Sequence, residues 1–272
     1  MTPQEIALVA GLCRARAGLA APANAYSMES RLEPVARAAG FAGITAMLAA
    51  AGGERGETVA WRVVEAMTCA ETSFFDDKAV FHVLETDVLP SLARSRAGAP
   101  IRVWSAACST GQEIYSLAML AEHIHRSGGE ARLDLAASDI SAGALERARS
   151  GLYTQFEVQR GLPIRLLVSH FEKVGEAWRI SANLRRQVRW RRINLVADLT
   201  GVGEFDVIFC RNVLCGMDPA SRARVLEALS TLLPEDGYLV LGSREEAAGE
   251  AFAAGPHPAI RRPRRARHIA AA

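Results

Sequence analysis

A short run of small and polar residues, followed by an acidic one, is the first place where this chain could do chemistry. Residues 108–111 read Cys-Ser-Thr-Gly at the end of an apolar run, and Glu113 follows on the first turn of a helical pattern. A second apolar run, residues 133–137, leads to Asp139. In an open α/β sheet, a strand, a tight turn and a helix N-terminus hold a nucleotide-like ligand, and an acid after the second strand accepts hydrogen bonds from the ribose. The spacing therefore predicts a nucleoside site.

The same stretch excludes two large classes of nucleotide ligand. It has no Gly-x-Gly-x-x-Gly motif and no lysine directly after Gly111, so it lacks the phosphate cradle of dinucleotide and nucleoside triphosphate sites. S-adenosyl-L-methionine (SAM) is the ligand that fits such a turn without a phosphate site. Glu113 could accept hydrogen bonds from the ammonium group of SAM, or could be only a charge that stabilises the helix end. Asp139 could bind the ribose, or could only cap the helix ahead of Ser141.

Five segments, in chain order, resemble the CheR-type chemotaxis methyltransferases, which methylate glutamate side chains of chemoreceptors. They are Glu-Thr-Ser-Phe-Phe at 71–75, the motif at 104–119, Ala-Ser-Asp-Ile-Ser at 137–141, Phe-Asp-Val-Ile-Phe-Cys-Arg-Asn-Val-Leu at 205–214 and Gly-Tyr-Leu-Val-Leu-Gly-Ser at 237–243. The resemblance covers nearly the whole chain. It implies a protein-glutamate O-methyltransferase that uses SAM and has the cytoplasmic helices of methyl-accepting chemoreceptors as partners.

The resemblance also implies which residues hold the cofactor. Glu113 and Asp139 match family residues that bind SAM, and Asn194-Leu195 matches the pair that contacts the adenine edge. Arg211-Asn212 ends an apolar run, and ligands of open α/β folds gather at the carboxyl ends of strands. The expected cofactor-binding residues are Thr72, Glu113, Asp139, Asn194, Leu195, Arg211 and Asn212. No catalytic residue and no metal ligand is assigned.

Methylation of a carboxylate needs little proton chemistry. A free glutamate side chain has a pKa of about 4.3, so its carboxylate is ionised at neutral pH. The protein must align oxygen, methyl group and sulfur at about 3 to 3.5 Å and exclude water from the carboxylate. The sequence shows no Ser-His-Asp or metal-ligand arrangement, which argues against hydrolysis.

The chain departs from the family pattern at two positions of the expected site. Asp76 stands where the family has an arginine, and Gly216 stands where it has a tyrosine. Further departures are Ala70, Ala107, Gln112 and Ile114. An aspartate at position 76 would attract the sulfonium of SAM but repel a substrate carboxylate. These changes leave a second hypothesis open, a degenerate relative that binds SAM or a receptor with little or no turnover.

The elements that must position these residues form an α/β domain preceded by a helical one. The predicted regions are a helical N-terminal domain (1–67), a linker with the Thr-x-Phe-Phe segment and a helix (68–100), a Rossmann-like SAM-dependent methyltransferase domain (101–263) and a basic tail (264–272). Apolar residues at helical spacing support the first region, with breaks expected at residues 27–30 and at Gly40. Alternating strands and helices support a parallel sheet in the third.

The alternation breaks between residues 153 and 192. Residues 178–180 and 188–190 are predicted to be short antiparallel strands joined by residues 182–185. They would form a small antiparallel β-subdomain, about residues 172–192, inserted outside the main sheet. Helices are expected from Thr110 to Arg126, after Ser141 and at 219–233, and strands at 205–210 and 238–241.

Composition places the chain among ordinary globular proteins. It has 272 residues, half of them apolar, and a net charge of +2, too small to indicate a polyanionic partner such as DNA. No apolar run reaches the roughly 18 residues that cross a bilayer, and no secretory signal is visible, so membrane insertion is not expected. The five cysteines lack Cys-x-x-Cys spacing, which indicates free thiols in a reducing compartment, the cytoplasm.

Two groups of arginines leave three interpretations open. They are Arg185, Arg186, Arg189, Arg191 and Arg192, and in the tail Arg261, Arg262, Arg264, Arg265 and Arg267. They could dock an acidic receptor helix, bind RNA in an RNA methyltransferase, or form a solvated face and a disordered tail. Only Trp178 and Trp190 lie among the first group, which disfavours RNA binding.

Overall fold

The computed structural model describes residues 1–20, 24–53, 56–68, 71–243, 245 and 251–264. The chain divides into two compact units, residues 1–69 with 215–224 and residues 70–214 with 225–272. The domain bounds drawn from the sequence remain a prediction. In the part of the chain that the structure describes, no helix is long and apolar enough to cross a membrane.

Four helices build the first unit. They are α1 (Pro3–Ala17), α2 (Ala25–Ala38), α3 (Ile44–Ala50) and α4 (Gly56–Met67). Thr2 starts α1, because its hydroxyl accepts a hydrogen bond from the Glu5 N–H while the Glu5 carboxylate accepts one from the Thr2 N–H. Val9, Leu32 and Val63, from three of these helices, are fully buried. The prediction of a helical N-terminal region is confirmed.

One predicted break in this region is wrong. Residues 27–30 lie inside α2. The Asn24 side chain accepts a hydrogen bond from the Ser27 N–H at 2.7 Å, so the helix begins before the serines. Met28 and Leu32 then continue one buried face through this stretch. Gly40, with φ of 78°, follows the end of α2.

The second unit is built on a seven-stranded sheet. The described residues of this unit contain the strands β1 (Ile101–Ser105), β2 (Leu133–Asp139), β3 (Leu152–Thr154), β4 (Phe171–Val174), β5 (Ala177–Ile180), β6 (Val188–Arg192), β7 (Val207–Cys210), β8 (Tyr238–Leu241), β9 (Phe252–Ala254) and β10 (Ile260–Pro263). The main sheet has the order β6-β2-β1-β7-β8-β10-β9. Strands β6, β2, β1, β7 and β8 run parallel to one another, and β10 is antiparallel to both β8 and β9. The Rossmann-like prediction is confirmed.

The described residues after α4 contain further α-helices. They are α5 (Lys78–Val83), α6 (Leu89–Arg96), α7 (Gln112–Arg126), α8 (Ala142–Ser150), α9 (Gln155–Gln159), α10 (Ile164–His170), α11 (Ala182–Arg186) and α12 (Pro219–Thr231), with a π-helical turn, Leu84–Val88, between α5 and α6. Helix α7 begins two residues later than the pattern predicted, because Ser109 and Gly111 have left-handed φ values of 50° and 92° and still belong to the turn.

The predicted antiparallel subdomain exists, but its strand pairing was wrong. Strands β3, β5 and β4 form a separate three-stranded antiparallel sheet. Val188 instead lies opposite Leu135, in a strand parallel to β2 at the edge of the main sheet. Helix α11, capped by Ser181, separates β5 from β6. Because a helix connects β5 to β6, β6 can join the main sheet as a parallel strand. An antiparallel hairpin would instead need a tight turn between the two strands.

Candidate functional site

The carboxyl ends of four parallel strands bring most of the expected site residues to one edge of the sheet. Strand β2 ends at Asp139, Asn194 follows β6 by two residues, and Arg211 follows β7 directly. The Ile193 N–H donates to the Asp139 carbonyl oxygen at 3.2 Å, which joins the ends of β2 and β6. Ligands of open α/β folds bind outside this edge.

Glu113 is buried beneath this edge, at the start of α7. Its Oε1 accepts a hydrogen bond from the Ser105 hydroxyl at 2.8 Å, and its Oε2 lies 3.4 Å from Nη1 of Arg211. Burial raises the pKa of the Glu113 carboxyl, while Arg211 and the Ser105 hydroxyl oppose that rise. The carboxylate is thus aimed at the end of β7, and its partners are a hydroxyl and a cation from other elements.

Asp139 links the turn after β1 to the helix after β2. Its Oδ2 accepts a hydrogen bond from the Ser109 N–H, and its Oδ1 accepts one from the Ser141 N–H, both at 2.9 Å. Ser141 is the residue that caps α8, since its hydroxyl accepts from the Ala144 N–H at 3.1 Å. Asp139 therefore fixes the relative positions of the two turns that border the edge.

Arg211 is the cation of the site, and Asp76 is one of its partners. The Arg211 side chain is only 4% exposed, and its Nη2 lies 3.3 Å from Oδ2 of Asp76. Its Nη1 donates to the Asp76 carbonyl oxygen at 3.1 Å, and its Nε donates to the Leu241 carbonyl oxygen at 3.3 Å. The aspartate at the arginine position of the family pattern therefore faces a buried guanidinium. The sequence pattern alone did not predict this pair.

The segment that carries Thr72 and Asp76 is held by packing and by one hydrogen bond to α7. The Phe75 N–H donates to the Ser116 hydroxyl at 2.9 Å. Phe74 is fully buried, with its ring centroid 5.1 Å from that of Tyr153. Phe75 packs on Phe81 at 5.1 Å. Thr72 lies at the start of this segment and is half-buried.

Asn194 and Leu195 form a turn after β6. Leu195 is buried, and Oδ1 of Asn194 accepts a hydrogen bond from the Val196 N–H at 3.3 Å. The buried leucine anchors the turn, and the asparagine lies beside the Asp139 end of β2.

Asn212 has a left-handed backbone, with φ of 59°. Its N–H donates to Oε2 of Glu245 at 2.8 Å. Glu245 was missed by the sequence reasoning, because an acidic residue after β8 carries no motif that would single it out.

Two of the positions where the chain departs from the family pattern belong to the first unit or lie outside the described residues. Gly216 belongs to the first unit, where its carbonyl oxygen accepts a hydrogen bond from the Ala20 N–H at 2.8 Å. A Cβ at Gly216 would meet no described atom within 4 Å, so the backbone there has room for a side chain. Ala70 lies outside the described residues.

The two arginine groups are divided among different structural roles. Arg189 pairs with Asp134, and Nε of Arg192 donates to the Ile140 carbonyl oxygen at 2.8 Å. The interpretation of Arg261 and Arg262 as tail residues was wrong, because both lie in β10, where Ile260 pairs with Val240 on β8. Arg265 and Arg267 lie outside the described residues.

The donor set fits a charged nucleoside without phosphates. Two carboxylates, of Glu113 and Asp139, offer acceptors for an ammonium group and for ribose hydroxyls. Arg211 offers a guanidinium for a carboxylate, and Asn212 offers an amide that both donates and accepts. Among the described residues, no group of three or more His, Cys, Asp or Glu side chains is arranged to hold a metal ion.

Comparisons with known proteins agree with this geometry. Residues 70–253 match the family model "CheR methyltransferase, SAM binding domain". The chain is 36% identical over 227 residues to a chemotaxis protein methyltransferase of Vibrio parahaemolyticus, covering 82% of each protein. It is 37% identical over 187 residues to chemotaxis protein methyltransferase 1 of Pseudomonas aeruginosa, covering 67% of this chain and 68% of the relative. It is 31% identical over 226 residues to a probable chemotaxis protein methyltransferase of Rhizobium etli, covering 82% and 84%.

Proposed function

The chain belongs to the CheR methyltransferase family, and we propose that it methylates glutamate side chains of chemoreceptors. Its residues 70–253 match a SAM-binding domain, so SAM is the cofactor and the enzyme is a methyltransferase. The observation that carries the proposal is the buried carboxylate of Glu113, held between Ser105 and Arg211 at the carboxyl edge of the sheet. Relatives named chemotaxis protein methyltransferase support receptors as the substrate class.

The proposal gives each expected site residue a role. Glu113 would accept hydrogen bonds from the ammonium group of SAM, and Arg211 would bind its carboxylate. Asp139, at the end of β2, would accept hydrogen bonds from the ribose. Asn194 and Leu195 would border the adenine, one through its amide and the other through apolar contact. Asn212 and Thr72 would complete the lining of the site.

For methyl transfer, the protein must align the reacting groups and exclude water from them. When bound, the cofactor would supply a methyl group carried on a sulfonium. A substrate carboxylate oxygen takes the methyl group, and the sulfur leaves as part of a neutral thioether. The negative and positive charges thereby cancel, and no proton moves. Because a glutamate carboxylate is ionised at neutral pH, none of the residues must act as a base. Phe74 and Phe75 keep the segment beside Arg211 packed, which limits water at this side of the site. Catalysis then rests on alignment.

The pairing of Asp76 with Arg211 answers the objection that an aspartate would repel the substrate. Two like charges at about 4 Å cost about 1 to 4 kcal/mol, depending on solvation. The guanidinium lies 3.3 Å from the Asp76 carboxylate and offsets much of its field. Arg211 also remains in contact with Glu113, so Asp76 does not draw the guanidinium away from the Glu113 carboxylate.

The partner in this proposal is a cytoplasmic helix of a methyl-accepting chemoreceptor, which places the enzyme in the cytoplasm. Such helices present glutamate side chains and are acidic. Arg186 and Arg191, on α11 and β6, are exposed and could attract them. The free cysteines at positions 13, 108 and 210 are compatible with a reducing compartment.

Mass spectrometry of the methylated residue tests the proposed function. The protein, SAM and chemoreceptor cytoplasmic fragments would be incubated together, and receptor peptides would be sequenced. We expect methyl groups on glutamate side chains, and their loss when those glutamates are replaced by alanine. Methylation only on lysine, arginine or a nucleic acid would contradict the proposal.

A further inference from the structure

Glu245 makes two hydrogen bonds to the backbone beside Asn212. Its Oε2 accepts from the Asn212 N–H at 2.8 Å and from the Gly242 N–H at 2.8 Å. The residue is 8% exposed, so both bonds lie away from bulk water. Hydrogen bonds from N–H groups to a carboxylate are stronger than those to a neutral acceptor. One carboxylate oxygen therefore ties the end of β7 to the end of β8.

The bond to Asn212 stabilises a backbone conformation that side-chain-bearing residues adopt infrequently. With φ of 59°, Asn212 lies in the left-handed region, which asparagine tolerates better than most residues do. This conformation sets the direction in which the Asn212 side chain leaves the strand end. Without the Glu245 carboxylate, this conformation would lose the acceptor of its backbone N–H.

Gly242 provides the space that the Asn212 side chain occupies. A Cβ at position 242 would lie 2.4 Å from Oδ1 of Asn212 and 2.9 Å from Oε2 of Glu245. Both distances are too short for any real contact, so a side chain at position 242 must displace one of these groups. The absence of a side chain at Gly242 leaves room for the Asn212 amide, and Glu245 holds the Asn212 backbone.

We propose that Glu245 and Gly242 form a clamp that positions Asn212 for the cofactor. This inference rests on the proposed function, because it takes the Asn212 amide as a SAM contact. Glu245 is a positioning residue, since it acts on the cofactor through Asn212. Its removal weakens SAM binding more than it weakens folding, because one backbone turn loses its anchor while the strands on either side remain paired.

Calorimetric titration of SAM into the full chain tests the clamp with four variants. Glu245→Ala removes the acceptor, and Gly242→Ala displaces Asn212 from the opposite side. We expect each to weaken SAM binding at least about tenfold, as the loss of one hydrogen bond to a charged group does. Glu245→Gln keeps an oxygen acceptor and is expected to stay within about threefold of the wild type. Glu235→Ala, at an exposed glutamate, is the control and leaves affinity unchanged.

A double-mutant cycle separates positioning from a structural role. If Glu245 acts through Asn212, adding Glu245→Ala to Asn212→Ala causes no further loss of SAM affinity. An additive loss would overturn the inference, as would wild-type affinity in both Glu245→Ala and Gly242→Ala. If Glu245→Ala does not fold, the SAM affinities of Gly242→Ala and Glu245→Gln test the inference against the values expected for them above. A wild-type chain that binds no SAM would instead contradict the proposed function itself.

Discussion

At the residue scale, the charges around Arg211 bear on which ligand the proposed site prefers. The guanidinium contacts both Glu113 and Asp76. Together the three groups carry one negative charge in excess. SAM carries a sulfonium, an ammonium and a carboxylate, and therefore one positive charge in excess, whereas its demethylated product is neutral overall. Under the proposed function, we therefore expect the cluster to favour SAM over its demethylated product.

Replacement of Asp76 by asparagine tests this preference. Asp76→Asn keeps the carbonyl contact to Arg211 but removes one negative charge. We expect the ratio of the dissociation constants of S-adenosylhomocysteine and SAM, measured by calorimetry, to fall about fourfold, the Coulomb effect of one half-solvated charge. Asp77→Asn is the matched control, because Asp77 caps α5 and asparagine caps equally well. An unchanged ratio in Asp76→Asn would refute the charge argument.

The pH dependence of binding tests the role of Glu113. Burial raises the pKa of this carboxyl above its ordinary value. Only the ionised form pairs with an ammonium group, so SAM affinity should fall as the pH is lowered, and the fall should begin at a higher pH than an ordinary glutamate carboxyl would cause. In the ligand-free protein, the stability of the folded state depends on pH in the opposite direction. The raised pKa means that the protonated form of Glu113 stabilises the folded state, and this contribution is lost as the pH rises. Glu113→Gln should lack this fall in affinity, and the same profile in both proteins would count against the role.

Individual residues differ in how far the sequence predicted them. Glu113 and Asp139 follow directly from the order of strand, turn and helix, because their positions depend on neighbours in the chain. The Asp76–Arg211 contact joins residues 135 positions apart and depends on how β7 packs beside the segment after residue 71. No local pattern encodes such a contact. The family pattern indicated that Asp76 matters, but not which cation it faces.

At the element scale, the segment 71–77 depends on its close contact with the loop before α10. A Cβ at Gly161 would lie 1.9 Å from the Phe74 carbonyl oxygen, and φ at Gly161 is 85°. Phe74 also packs edge-on against Tyr153 and Phe171 of the small antiparallel sheet. The small sheet and its neighbouring loop therefore support the segment that carries Asp76 to Arg211.

A pair of glycine substitutions tests this support. Gly161→Ala combines a left-handed backbone with a clash against main-chain atoms, so we expect it to lower the free energy of unfolding by at least about 2 kcal/mol. Gly175→Ala has a similar φ, 60°, but nothing within 4 Å, and should cost only about 1 kcal/mol. Urea unfolding measures both. Equal losses would show that the contact with Phe74 does not matter.

The sequence pattern predicted most strands and helices correctly, but it was wrong at residues 27–30 of α2 and around β6. Val188 is buried, Arg189 exposed and Trp190 half-buried, and such a pattern does not reveal the partner strand. The five residues of α11 are too few to show helical periodicity in the sequence. The pairing depends on which sheet offers an open edge, and that is decided by tertiary packing.

At the scale of the whole molecule, the first unit includes a segment that is distant in sequence. The Ala20 N–H donates to the Gly216 carbonyl oxygen at 2.8 Å, and the Asp218 N–H donates to the Gly18 carbonyl oxygen at 2.8 Å. Leu19 and Met217 form an isolated antiparallel bridge between these bonds. A cut before residue 70 would therefore separate residues 215–224 from their partners.

A truncated chain tests the consequence of this arrangement. Residues 70–272 alone should unfold about 5 °C lower than the full chain, because at least two backbone hydrogen bonds and a buried Met217 contact are lost. Differential scanning calorimetry of both proteins gives the comparison. An unchanged unfolding temperature would show that residues 215–224 do not need the first helices.

The transfer of tritium from methyl-labelled SAM to chemoreceptor-containing membranes tests the central claim most directly. The label would be read as volatile methanol released by alkali, since a glutamate methyl ester is hydrolysed by base. We predict release well above that of a Glu113→Ala control, whose site has lost the carboxylate between Ser105 and Arg211. No alkali-labile label, from a protein that binds SAM by calorimetry, would contradict the assignment of glutamate methylation.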